Sequence, residues 1–136
     1  MRNILSKQIF LLSEHYTAPQ KSPSAKSLRD TERMKMMLQY VQDHYQEELS
    51  TAKIAQSAAV SESECLRCFR CVIGTTPIQY TKQLRIQKAA ELLESTDEKV
   101  SDIGALCGFQ EMSYFAKSFR EMKGCTPREY RKRHRR

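Results

Sequence analysis

Two pairs of cations at matched places offer the most direct chemistry in this chain. Arg67 is followed one helical turn later by Arg70, in Cys65-Leu66-Arg67-Cys68-Phe69-Arg70. Lys117 is followed by Arg120, in Phe115-Ala116-Lys117-Ser118-Phe119-Arg120. A guanidinium donates in a fork that fits guanine O6 and N7, and an ammonium can reach the same atoms as a single donor. Cations one turn later suit phosphate oxygens, contacts that position rather than specify. Any one of these residues alone reads as a solvated charge. What sets them apart is that the same arrangement occurs twice.

The repetition extends well beyond the cations. Ile54, Ala55 and Val60 match Ile103, Gly104 and Phe109 at an offset of 49. Cys65 through Tyr80 match Phe115 through Tyr130 at an offset of 50, so one residue has been added at a turn. Both copies carry Gly-x-Thr-Pro-x-x-Tyr, at Gly74–Tyr80 and Gly124–Tyr130. An internal repeat fixes architecture before any local reading does. A unit of about 50 residues is marginal alone, so the two units should share a connecting element.

Local signals place the matched cations on helices. Met34, Met37, Leu38 and Val41 repeat at helical spacing after Asp30 or Thr31, either of which can cap a first helix ending near Tyr45. Ser50 or Thr51 caps a short second helix with Ile54, Ala55 and Ala58, and a turn follows at Ala59-Val60. Ser61 caps a third helix that stops before Gly74, the expected left-handed residue. Thr76-Pro77 opens a long helix to about Glu94, with Ile86, Ala89, Ala90 and Leu93 as its apolar stripe and Lys82, Arg85 and Lys88 as a basic row. We take that helix as the shared spine. Ser101 then caps a short helix with Ile103 and Leu106, Gly108-Phe109 turns, a helix spans about 111–122, and Thr126-Pro127 starts the last. No strand-like alternation of useful length appears, which predicts an all-α fold.

Each unit therefore reads as a helix-turn-helix, whose second helix enters a major groove with its N-terminal residues at the base edges. Cys65, Cys68, Phe69 and Val72, and then Phe115, Phe119 and Met122, must face inward. The candidates for base contact are Glu62, Ser63, Leu66 and Arg67 in unit one, with Met112, Ser113, Ala116 and Lys117 in unit two. Ser61, Arg70, Arg120 and Lys123 are the candidates for phosphate. Glu62 can accept from a cytosine amino group or repel phosphate, whereas Glu64 reads as repulsive or neutral.

Cys65-x-x-Cys68-x-x-Cys71 resembles an iron–sulfur spacing. On a continuous helix the three thiols drift around the axis and do not converge on one ion. Cys65 also aligns with Phe115, a core position, and free Cys packs as a small hydrophobe. Cys65 and Cys68 are read as core and Cys71 as more exposed; no metal or cofactor is expected. An odd count of five cysteines argues for reduced thiols. His15, His44 and His134 are scattered and no phosphate-cradling Gly-rich loop occurs, so no catalytic set is visible and an enzyme is not expected.

The formal charge of +7 points to an acidic polymer or surface as partner. Residues 120–136 hold eight basic and two acidic side chains, so +6 lies at that end. Arg131 to Arg136 reads equally well as phosphate-contacting or as a solvated tail. No apolar run reaches the ~18 residues of a membrane span, and Ile9-Phe10-Leu11-Leu12 is short for a secretory core, which leaves a cytoplasmic, nucleoid-associated location as the expectation.

Ile54 to Arg131 resembles the DNA-binding domain of AraC/XylS-family transcription regulators. The resemblance rests on Ser61-x-x-x-Cys65-x-Arg67-x-Phe69-Arg70, Gly74-Thr75-Thr76-Pro77-Ile78-Gln79-Tyr80, Leu84-Arg85-Ile86 and Ile103-Gly104-Ala105-Leu106-Cys107-Gly108-Phe109. It continues through Ser113-Tyr114-Phe115-x-Lys117-x-Phe119-Arg120 and Gly124-Cys125-Thr126-Pro127-x-x-Tyr130-Arg131. Ala59 departs from the usual Gly of the first turn, and Cys65 from the usual Leu. The resemblance implies a seven-helix domain of two helix-turn-helix subdomains on a linking helix, reading successive major-groove faces about one helical turn (~34 Å) apart. It also implies transcription activation through contact with RNA polymerase.

The organisation expected is a short amphipathic helix over 1–16, the remnant of a sensor domain and the candidate contact for a weak homodimer; a linker over 17–29; and the DNA-binding domain over 30–133. That domain divides into subdomain one (30–76), the linker helix (77–94) and subdomain two (95–133), followed by a basic tail over 134–136. Two alternatives stand beside a double-stranded DNA reader. One is a thiol-responsive regulator gated by Cys71, Cys107 or Cys125; the other is a non-reading fragment that acts as a protein-interaction module.

Overall fold

The computed structural model describes residues 25–135, and among them every regular element is a helix. The first, α1, spans Ala25–His44. It begins earlier than Asp30, so the expected linker ends before Ala25: no Pro or Gly stands between Pro23 and Asp30 to stop the helix, and Asp30 lies buried inside it rather than capping it. The helix and dimer contact expected over 1–16 lie outside the described residues.

Unit one follows with α2 (Thr51–Ser57) and α3 (Glu62–Val72). Ser50 Oγ accepts the Lys53 N–H at 3.2 Å, and Ser61 Oγ accepts the Glu64 N–H at 3.1 Å, so each helix start is satisfied by the residue the sequence offers for it. The turn between them places Ala59 at φ 56°, the left-handed region, where its repeat partner Gly108 has φ 101°. Next, α4 (Pro77–Ser95) is opened by Thr76 Oγ1, which accepts the Gln79 N–H at 3.1 Å.

Unit two consists of α5 (Val100–Leu106), α6 (Met112–Lys123) and α7 (Pro127–His134). Here α5 starts one residue before Ser101, and Lys99 occupies the cap without a side-chain bond. The register of the repeat explains this. Lys99 stands where unit one has Ser50, and the half-buried Val100 packs on the second core. Gly124 ends α6 at φ 80°. Thr126 and Glu129 close a reciprocal capping box, at 3.1 Å and 2.9 Å, at the start of α7.

The spine helix α4 belongs to two cores. Tyr80 and Leu84 join Met34, Met37, Val41, Ile54, Cys65 and Phe69 in the first. Ile86, Ala89, Ala90 and Leu93 join Ile103, Phe109, Phe115 and Phe119 in the second. Fully burying a large apolar side chain is worth roughly 1.5–3 kcal/mol, so each unit draws a substantial share of its stability from this one helix.

Arg85 sits where the two cores meet. Its Nε donates to Tyr45 O and its Nη2 to Glu47 O, both at 2.7 Å, which ties the residues after α1 to the spine. Gly108 allows this close approach, since a Cβ there would lie 2.5 Å from Tyr45 O and 2.8 Å from Arg85 Nε. Arg135, fifty positions on, repeats the device at the end of α4. Its Nη1 donates to Thr96 O at 2.9 Å and its Nη2 pairs with Asp97. Arg131 adds bonds to Leu93 O at 3.1 Å and Thr96 O at 2.9 Å. These cations satisfy carbonyls at the end of a helix that has no basic residue in its own last turn. Much of the supposed basic tail is therefore structural: His134 ends α7, and Arg131 and Arg135 are docked rather than free.

Candidate nucleic-acid interface

Burial sorts α3 and α6 as amphipathic geometry requires. Cys65, Cys68 and Phe69 are buried in α3, and Phe115, Ser118 and Phe119 in α6. Val72 and Met122 are half-buried and pack on their respective cores. On the opposite faces Glu62, Ser63, Leu66 and Arg70 are exposed in α3, and Met112, Ser113, Lys117 and Arg120 in α6. Ala116 is half-buried. Both helices thus carry an exposed outer strip that mixes apolar and polar side chains, with Ser63 and Ser113, and Arg70 and Arg120, at equivalent repeat positions on one spine.

Arg67 is placed differently from the free projection expected of it. Its Nη2 donates to Asp30 Oδ1 of α1 at 2.8 Å and pairs with Glu64 Oε2, while its Nε donates to Glu64 Oε1 at 3.2 Å. Arg33 Nη1 reaches the same Glu64 at 3.1 Å. Glu64 first, and then Asp30, drive the Arg67 guanidinium further above its already high pKa. The equivalence with Lys117 therefore holds in sequence and fails in surroundings. Lys117 is exposed, and Tyr114 stands where unit one has Glu64.

Glu64 consequently does not confront the solvent as a bare charge, since its carboxylate is neutralised from two sides. Asp30, Glu64 and Cys68 also bring ligand-type atoms within 4.8 Å of one another. The two guanidinium groups already occupy the carboxylates there, so the cluster reads as an ion-pair network.

Two phosphate candidates have structural partners as well. Ser61 Oγ is the α3 cap, and Lys123 Nζ donates to Gln87 Oε1 of the spine at 3.2 Å. The basic row of α4 turns to internal work too: Lys82 pairs with Glu121 at 3.7 Å and lies 5.7 Å over the Tyr114 ring.

Sequence reasoning missed Tyr114. It is 48% exposed on the outer face of α6, with its ring 5.9 Å from that of Phe109. Its position off the 115/119/122 stripe was the available signal. Asp30 reads in the sequence as a helix cap rather than as a partner of Arg67, and nothing local distinguishes Arg33 from other charges on α1.

The cysteines divide as their positions in α3 dictate. Cys65 and Cys68 are buried and Cys71 is exposed. Burial, with Cys68 and Glu62 nearby, pushes the Cys65 thiol up to about 11. Burial likewise pushes Cys107 up to about 11. Cys125 is buried, which leaves Cys71 as the exposed thiol among the described residues. Among those residues no helix is long and apolar enough to cross a membrane.

Two helix-turn-helix units on one linking helix, each with a buried inner face and an exposed outer face, define a class of nucleic-acid-binding fold. A family profile described as a helix-turn-helix domain matches residues 54–133. The chain is 36% identical over 100 residues to an uncharacterised HTH-type transcriptional regulator, YdeC, of Bacillus subtilis, covering 74% of this chain and 34% of that protein. It is 35% identical over 99 residues to the HTH-type transcriptional activator RhaS of Enterobacter sp., covering 73% of this chain and 36% of that one. The chain thus spans about a third of the length of these relatives.

Among solved structures, an AraC-type DNA-binding regulator from Chromobacterium violaceum matches with a TM-score of 0.73 and 31% identity, over 76% of this chain and 93% of that one. The DNA-binding domain of AdpA, solved with a target DNA, matches with a TM-score of 0.70 and 27% identity, over 74% of this chain and 90% of that one. This chain belongs to the AraC-type helix-turn-helix family, and the relatives it matches are named as transcriptional regulators.

Proposed function

We propose that this chain reads double-stranded DNA by sequence and regulates transcription as an activator, with α3 and α6 entering adjacent major-groove segments. The observation that carries the reading is the paired exposed strip on α3 and α6, with Arg70 and Arg120 at equivalent positions, on a spine shared by both cores. Base contacts are assigned to Glu62, Ser63, Leu66 and Arg67 on α3, and to Met112, Ser113, Ala116 and Lys117 on α6. Phosphate contacts are assigned to Ser61, Arg70, Arg120 and Lys123. The complex of the similar AdpA domain with DNA supports the partner, and the activator names of the RhaS relatives support the sign of regulation. Contact with RNA polymerase and a cytoplasmic location follow from that role.

Selection of the purified chain on a randomised duplex pool at near-physiological salt tests this. Two short enriched blocks about ten base pairs apart are expected, one for each helix. A single block would restrict base reading to one unit. No enrichment above salt-dependent background would remove sequence-specific binding.

A further inference from the structure

The ion pairs of Arg67 commit one side of its guanidinium. Nε and Nη2 are both engaged by carboxylates, which leaves Nη1 as the remaining donor nitrogen. A bidentate contact to guanine uses two donor nitrogens of the fork, so a guanidinium held in this way presents less than that contact requires. Glu64 engages both of these nitrogens, and Asp30 adds a second bond on Nη2. The Asp30 side chain is 12% exposed, it comes from a different helix, and it accepts from Arg67 at 2.8 Å. Arg33 lies 4.0 Å from Asp30 and 3.1 Å from Glu64, so the four charges balance and present little net attraction to phosphate. Unit two has no counterpart to this arrangement at Lys117, where the aligned neighbour is the uncharged ring of Tyr114.

We propose that Glu64, reinforced by Asp30 from α1, is a positioning residue that withholds the base-reading edge of Arg67, so that α3 reads guanine less stringently than the same helix would with Arg67 released. The inference rests on the DNA-reading function proposed above. It makes α1, which precedes the matched family region at 54–133, part of the specificity of the domain.

The test is the same duplex selection, run on the full chain as wild type, Glu64→Gln and the double variant Glu64→Gln/Arg67→Ala. Lys117→Ala identifies the block read by α6, and the other belongs to α3. The amide keeps an acceptor and the shape but removes the negative charge, so the Coulomb attraction that holds the guanidinium is lost. Glu64→Gln is expected to raise guanine frequency several-fold at one position of the α3 block, to leave the α6 block unchanged, and to lose the gain when Arg67 is also removed. Asp30→Asn, which removes the reinforcing charge on α1, is expected to move the same position in the same direction by less, and it decides the question if Glu64→Gln does not fold. An unchanged α3 block, a loss of guanine there, or the same gain without Arg67 would overturn the proposal. A wild-type chain that enriches no sequence would overturn the DNA-reading function itself, and this inference with it.

Discussion

The ring of Phe115 lies so close to Gly104 that a Cβ there would sit 2.7 Å from Phe115 Cδ2. The equivalent pair in unit one is Ala55 and Cys65, both buried. A larger residue on α2 thus meets a smaller one on α3, and a smaller residue on α5 meets a larger one on α6. Gly104 on α5 is what leaves room for the Phe115 ring on α6.

Gly104→Ala should lower stability. Phe115 has little freedom to retreat, with ring centroids 5.0 Å from Phe109 and 5.9 Å from Phe119. Overpacking costs about 1–3 kcal/mol. The better helix propensity of alanine returns about 1 kcal/mol, leaving a net loss of up to about 2 kcal/mol. Urea unfolding measures it, and adding Phe115→Cys should make the pair of changes less costly than the sum of the single ones.

Ala59→Gly should raise stability. Alanine at φ 56° carries a left-handed penalty of about 1–2 kcal/mol. Glycine removes it but brings a more flexible unfolded chain, worth about 0.4–1 kcal/mol in the other direction. A net gain of about 0.5–1 kcal/mol is expected as a higher melting temperature; an unchanged or lower value would refute it.

Ser118 Oγ is buried with no hydrogen-bond partner among the described residues. Leaving such a group unsatisfied costs about 1–3 kcal/mol. Ser118→Ala is expected to stabilise the protein by about 1 kcal/mol in chemical denaturation, and a loss of stability would reveal a bond formed in solution.

Acid should loosen unit two through α7. Hydrogen bonds from Thr126 hold the Glu129 carboxyl below its ordinary 4.5, and Arg135 holds Asp97 below its ordinary 3.8. A depressed folded-state pKa gives stability that is complete above the ordinary value and is lost as pH falls through the folded value. Unfolding measured between pH 3 and pH 6 should therefore show a shallower acid-side decline in Glu129→Gln than in wild type.

Binding should separate Lys117 from Arg120. Lys117→Ala is expected to cost about 1–3 kcal/mol at its preferred site and to relax one position of the motif. Arg120→Ala should weaken all duplexes alike and reduce the slope of log affinity against log salt by about one. Titrations of one selected and one scrambled duplex at several salt concentrations distinguish the two patterns.

Several of these features are legible in the chain because they are local or periodic. Ser50, Ser61, Thr76 and Thr126 cap the helices that their types and neighbours announce, since a cap is set within about one turn. The stripes of α3 and α6 follow from 3.6-residue periodicity, and the repeat itself announces the shared spine. The start of α1 at Ala25 was less legible, because Asp30 has the chemistry of a cap and only its burial against α3 makes it an interior residue.

Sequence alone therefore determined the two units, their helices, the inner faces and the family. The tertiary structure decided what the long cations do. Arg67 reaches across 37 positions to Asp30, Arg85 across 40 to Tyr45, and Arg131 across 38 to Leu93. A guanidinium sits at the end of a flexible stem and takes whichever buried carboxylate or unsatisfied helix-end carbonyl the packing brings within reach. No periodicity in the chain encodes that choice.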